Sequence, residues 1–207
     1  VLARTAIPFA IAGYATEKPK VVVRVVDTDV EQLVERVASG DVDLAVGPDR
    51  ATGDRVQREA IFQSPWVLWC AEQHPLARKR RLRWQDLRGT PIIATGRDHE
   101  ASVAQMLADQ PSDARIAPVE VVDNVTTAFG LVAQGLAVTL APLYVKPLAQ
   151  TFGLVVRRVV EPETIREVCV YRPVDRSLSP SADGFAEFLG GCLRIWDRRM
   201  QGPAGAK

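Results

Sequence analysis

Apolar residues along this 207-residue chain follow two rhythms. Short unbroken runs of β-branched residues predict buried strands, and apolar positions recurring every three or four residues predict amphipathic helices. Residues 2–15 predict a helix; residues 21–26 (VVVRVV), after the breaker Lys18-Pro19-Lys20, predict a buried strand. In residues 29–40 (DVEQLVERVASG), Val30, Leu33, Val34 and Val37 fall on one helix face. Asp29 is placed to cap that helix through its carboxylate, and Gly40 to take the left-handed position at its end. Residues 42–46 then predict a strand that stops at Gly47-Pro48.

The same order recurs further on. Residues 118–122 (PVEVV) predict a strand, and Asn124 caps a helix with apolar Val125, Ala128, Phe129 and Val132, closed by Gly135. Residues 137–140 predict a strand ending at Pro142. The offset from Asp29 to Asn124 is 95 residues, and the same offset links Gly40 to Gly135. A helix over residues 101–109 corresponds to the one over residues 2–15. Two similar lobes of alternating helices and strands are therefore expected, each with a mostly parallel sheet flanked by helices. The second copy opens with a strand at residues 91–95. The counterpart in the first copy falls at or before Val1, so the first lobe is expected to lack its opening strand, as if the chain began inside a longer protein.

Two further apolar runs, residues 66–70 (WVLWC) and 168–171 (VCVY), lie where the chain would pass between lobes. A last helix is expected from Ser179-Pro180, a capping serine with proline at the first helical position. Phe185, Phe188, Leu189, Cys192 and Trp196 form its apolar face. The expected division is residues 1–67 with 168–207 as the first lobe and residues 68–167 as the second, with a loose tail at 202–207.

Composition narrows the function classes. Twenty-six basic against 25 acidic residues give a net charge of +1, without the basic excess of a dedicated nucleic-acid surface. No apolar stretch is long enough to span a membrane. Three cysteines, Cys70, Cys169 and Cys192, form no CxxC pair and read as reduced thiols, hence a cytoplasmic setting. The two histidines, His74 and His99, lie in no metal-ligand spacing, and no nucleophile elbow or phosphate-binding glycine loop is present. Neither an enzyme nor a bound cofactor or metal is indicated. The run at residues 78–83 (RKRRLR) reads as a solvated connection rather than a phosphate site. The productive feature is the repeat itself. Strand ends and helix starts gather where open α/β sheets take ligands, and unpaired N–H groups at a helix start favour a small anion.

Five stretches carry a family likeness: residues 31–47 (EQLVERVASGDVDLAVG), 73–77 (QHPLA), 84–93 (WQDLRGTPII), 131–142 (LVAQGLAVTLAP) and 177–180 (SLSP). Together, in this order and spacing, they resemble the effector-binding domain of LysR-type transcriptional regulators. The resemblance implies an α/β, type 2 periplasmic-binding-protein-like fold, with two Rossmann-like lobes joined by two crossover strands. It implies a cytoplasmic inducer sensor that binds a small-molecule effector between the lobes. It also implies a homodimer, a tetramer for the full-length protein, and contact with DNA only through a winged helix-turn-helix that this chain does not contain. In the family's antiparallel pair, helix 2–15 and strand 21–26 would meet helix 101–109 and strand 119–122 of the partner. Effector contacts implied by position are Thr28, Asp29 and Val30, then Thr95, Gly96 and Arg97, then Asn124, Val125 and Thr126. Arg97 is the counter-charge expected for an anion. Val30 stands where many members carry a hydroxyl residue and Ala137 where many carry glycine, which implies a guest held more by backbone groups. The rival reading is an extracytoplasmic solute-binding protein of a transporter; a third is an enzyme of the same architecture.

Overall fold

The computed structural model describes residues 1–96, 118–161 and 163–201. By its internal contacts the chain forms two compact units, Val1–Ser64 with Arg166–Lys207, and Pro65–Ile165.

In the first unit, a 3-10 turn at Leu2–Arg4 leads into helix α1 (Ala6–Glu17). A second 3-10 turn (Val30–Gln32) leads into α2 (Leu33–Ser39), which ends at Gly40 in the left-handed conformation, φ 86°. Strand β1 (Ala45–Pro48) pairs antiparallel with β8 (Ile165–Pro173) through Ala45↔Tyr171 to Pro48↔Val168, and β8 lies between β1 and the long strand β2 (Val56–Ala71). The described ladder of this unit is thus antiparallel, where the alternating pattern predicted parallel strands. Leu33, Val37 and Ala38 of α2 pack with Val56, Cys169 and Tyr171. A Cβ at Gly47 would collide with Leu33 Cδ1, so a larger residue in this close approach of helix to strand would force the Leu33 side chain to shift. The closing helix α5 (Pro180–Gln201) packs on α1 with Tyr14 against the rings of Phe185 and Phe188, each with centroids 5.2 Å apart. Ser179 Oγ accepts from Ala182 N at 3.2 Å, the expected cap.

Residues 21–26 correct one expectation: they form no strand, and Val22 is 81% exposed. A β-branched run supplies side chains that suit a sheet, but a strand exists only through ladder bonds to a neighbour, and among the described residues no strand lies alongside. The strand predicted at residues 42–46 begins three residues later, at Ala45.

The second unit is built on a mixed sheet. Its strands are β3 (Arg81–Arg83), β4 (Ile92–Thr95), β5 (Glu120–Val122), β6 (Val138–Pro142) and β7 (Leu154–Val160), with the later half of β2 between β6 and β7. The β6 and β7 ladders begin at Trp66 and Val67, just past Pro65, which has no N–H to donate. β4 runs parallel to β5 and β6, and β3 parallel to β7. Successive strand residues face opposite sides, so Ile92 joins the core of Trp66, Leu68, Leu82, Leu87 and Leu140, while Ile93 packs with Ala128 and Ala137. Helices α3 (Val125–Ala133) and α4 (Lys146–Thr151) belong to this unit. The basic run, expected as a bare connection, contains β3: Leu82 is fully buried and pairs with buried Val159. The helix predicted at residues 101–109, Arg97, His99 and the tail at 202–207 lie outside the described residues.

Candidate functional site

The parallel register of the second unit fixes which candidate residues are neighbours. Thr95, the last residue of β4, stands opposite Val122, the last residue of β5. Asn124 follows two residues later and opens α3. The half-buried Thr95, Gly96 and the Asn124–Val125–Thr126 segment therefore gather at one sheet edge, beyond the carboxyl ends of parallel strands. Gly96 turns the chain with φ 74°, and among the described residues no atom lies within 4 Å of the place a Cβ would occupy.

The helix start is held by its own side chains. Asn124 Oδ1 accepts from Thr126 N at 3.0 Å and from Thr126 Oγ1 at 2.7 Å. The Asn124 carbonyl accepts from Thr127 N at 3.0 Å and Ala128 N at 3.3 Å. No acidic side chain occupies the first turn, and Asp123 stands just before the cap. Ala128, Phe129 and Val132 anchor the helix; Phe129 sits 5.9 Å from the ring of Phe152 and 6.3 Å from that of Trp69. Gly135 closes it with φ 74°.

The third candidate group, Thr28, Asp29 and Val30, belongs to the first unit. Asp29 is exposed, and its side chain makes no cap bond; only its carbonyl is used, accepting from Gln32 N at 3.1 Å. The expected carboxylate cap is thus absent, because the chain enters a 3-10 turn rather than an α-helical one at Val30, which changes the donor geometry that a capping side chain meets. Thr28 Oγ1 lies 3.5 Å from Gln32 Oε1. The hold on α2 comes instead from its far end, where Arg176 Nη2 donates to Val37 O at 3.0 Å and Val42 O at 2.9 Å. A lone arginine 134 residues beyond Val42 carries no local signal, so periodicity had no means of finding it.

The remaining titratable groups are structural. His74 Nδ1 accepts from Leu76 N at 3.2 Å and so caps the turn at Pro75–Arg78, and partial burial pushes its pKa below the ordinary histidine value. Burial raises the thiols of Cys70, Cys169 and Cys192, all three buried and unpaired, away from nucleophilic thiolate. The Tyr171 hydroxyl donates to Pro48 O, and burial pushes it up to about 12. Among the described residues no group of three or more His, Cys, Asp or Glu is placed to hold a metal, and no helix is long and apolar enough to cross a membrane.

A sheet edge of this kind, on a two-unit α/β chain, defines a class of small-molecule-binding domains. The chain matches the family model of the LysR substrate binding domain over residues 1–192, and it belongs to that family. It is 27% identical over 192 residues to the uncharacterized HTH-type transcriptional regulator YbhD of Escherichia coli (strain K12), covering 92% of this chain and 59% of the relative. The chain thus spans about three fifths of the length of that curated relative. Among solved structures it resembles the BenM effector binding domain with its effector benzoate (TM-score 0.76, 17% identity, 94% of this chain and 88% of that one). It also resembles the effector binding domain of QuiR in complex with shikimate (TM-score 0.74, 17% identity, 92% and 90%). The fold is that of LysR effector-binding domains, periplasmic-binding-protein-like as the family resemblance implied.

Proposed function

We propose that this chain senses a small carboxylate for a DNA-binding transcriptional regulator. The observation that carries the reading is the edge of the second unit, where Thr95 and Gly96 end one parallel strand beside the Asn124-capped start of α3. Thr126, Thr127 and Ala128 spend their N–H groups within the cap, so the helix start would favour a carboxylate through its dipole and the Val125 N–H, beside the counter-charge of Arg97. That benzoate and shikimate, the molecules bound by BenM and QuiR, are both carboxylates supports this choice of guest. Thr28, Asp29 and Val30 of the first unit and Arg97 complete the proposed contact set, with Arg97 as counter-charge.

In this reading the effector binds one arrangement of the domain better than another, and that differential affinity is what reaches the DNA-binding part of the full-length protein. Membership of the family supports the rest of the reading: a winged helix-turn-helix as the DNA-binding part, a cytoplasmic protein, and homodimers that assemble as tetramers at full length. Calorimetry against a panel of small carboxylates and their uncharged amides tests the proposal. One carboxylate is expected to bind at one site per chain, with its amide weaker by about tenfold or more, the cost of a lost charged hydrogen bond. Arg97→Ala should weaken the same carboxylate. Equal affinity for acid and amide would remove the anion from the reading, and full affinity in the variant would remove Arg97.

A further inference from the structure

The placement of the basic run on the sheet concentrates its charge on one surface. Residues 78–88 and 157–158 hold eight basic side chains against a single acid, Asp86, in a chain whose net charge is only +1. Part of that charge is spent internally. Lys79 pairs with Asp86 at 2.6 Å, Arg83 with Glu161 at 2.9 Å, and the Arg157 guanidinium donates to the carbonyls of Ala77 and Val156. Arg78, Arg80, Arg81 and Arg158 are exposed and have no acidic partner among the described residues.

The register makes two of them adjacent. β3 and β7 are parallel with Arg81↔Arg158 and Leu82↔Val159 in step. Leu82 and Val159 are buried, so the two arginines share the opposite, solvent face, about 4.8 Å apart at the backbone. Like charges directly opposite one another on a sheet repel, and an anion lying across both would relieve that repulsion. Arg83, two residues along β3, shares their face beside its partner Glu161, whereas Arg157 points to the other, buried side and holds the Ala77 carbonyl there, so Arg78 is not counted with them. The charges thus extend along two strands, wider than one phosphate or carboxylate.

We infer that this β3–β7 face docks on the sugar–phosphate backbone of duplex DNA. Guanidinium groups match phosphate oxygens in pairs, and none of the exposed large apolar side chains lies in β3, β7 or the turn before them. A protein partner would be expected to find an apolar centre ringed by polar groups; this face offers charge alone, which suits a uniform polyanion read without sequence preference. Tethering to a DNA-binding module, as proposed above, would make a weak contact effective, but the charge argument stands apart from that proposal and from any effector.

Fluorescence anisotropy of this chain with labelled duplexes of two unrelated sequences tests the inference. Binding is expected at about 20 mM salt, equal for both duplexes, with a slope of log K against log salt of about −2 to −3, some 0.9 per arginine engaged. R81E/R158E should lose about tenfold or more, whereas K18E/R198E, with the same change in net charge on exposed residues of the first unit, should stay within about twofold. The single variant R81E, which sets an acid beside Arg158, should melt no lower than the parent chain and still flatten the salt slope. No binding at low salt, equal losses in both double variants, or polyglutamate binding more tightly than DNA would each overturn the inference, the last in favour of an acidic polypeptide. A failed effector panel would leave this result untouched.

Discussion

Helix α3 and the helix that follows Val30 are counterparts 95 residues apart, and they are secured by different means. α3 begins on a side-chain cap, Asn124 to Thr126, directly after a strand that is itself paired to β4. α2 begins without a side-chain cap, after a segment with no ladder, and is held from its far end by Arg176 and along its face by Leu33 against Gly47. A helix whose neighbours in sequence are also its neighbours in space is fixed locally. One whose preceding segment lacks a sheet partner draws part of its restraint from an arginine more than a hundred positions away.

The contrast can be broken most forcefully in the core. Phe129→Ala empties a fully buried site between Trp69 and Phe152 and is expected to cost the second unit about 3–5 kcal/mol, against about 2 kcal/mol in the first unit for Val37→Ala on α2. Urea unfolding followed by tryptophan fluorescence separates the two, since Trp66, Trp69 and Trp84 report on the second unit and Trp196 on the first. Equal costs would mean that the two helices are equally embedded.

A finer cut addresses the caps. Asn124→Ala should cost about 1 kcal/mol, the usual loss for a capping side chain, while Asp29→Ala should fall within about 0.5 kcal/mol of the parent. The same denaturation curves decide it, and a comparable loss at Asp29 would restore the carboxylate cap that the structure denies.

The smallest effect lies in two acids whose pKa values move oppositely. Asp197, buried on α5, is raised by desolvation, with a lowering contribution from its bond to Gln201. Its folded state holds the proton more tightly than the unfolded chain, so its contribution is fully present at low pH and is lost as pH rises through the raised value. Asp86 of the second unit is lowered by the Lys79 hydrogen bond and by the Arg83 amide. Its contribution is present above the ordinary carboxylate range and is lost as pH falls through the lowered value. Melting curves over acidic to neutral pH should therefore show Asp197→Asn gaining most near neutrality and Asp86→Asn losing most there. A variant whose difference from the parent is flat with pH would remove that acid from the account.

What could be read from the chain alone follows the same division. The elements around α3 carry their instructions within a few residues: an asparagine before the first apolar position, a glycine after the last, and short apolar runs on either side. Arg157 and Arg158 interrupt the apolar run of β7, and β3 is three residues long among arginines, so neither declares itself. Their pairing buries Leu82 and Val159 together, a relation between residues 77 positions apart. Residues 21–26 show the converse, a strand pattern without a partner. His74 likewise gave no sign as a lone histidine, because its role is to fill an acceptor position before a turn rather than to do chemistry. Of the candidate site, the order Asn124–Thr126 and the strand end at Thr95 were legible from capping and periodicity. Their adjacency needed the parallel register.

The first unit is assembled from both ends of the chain, α1 with Tyr14 closing on α5 with Phe185, while the second is one uninterrupted stretch. During synthesis on the ribosome, Pro65–Ile165 has all its strands in hand while α1 is still waiting for a helix not yet translated. The nascent chain thus has a built-in order of events, with the apolar face of α1 left uncovered until the final helix emerges.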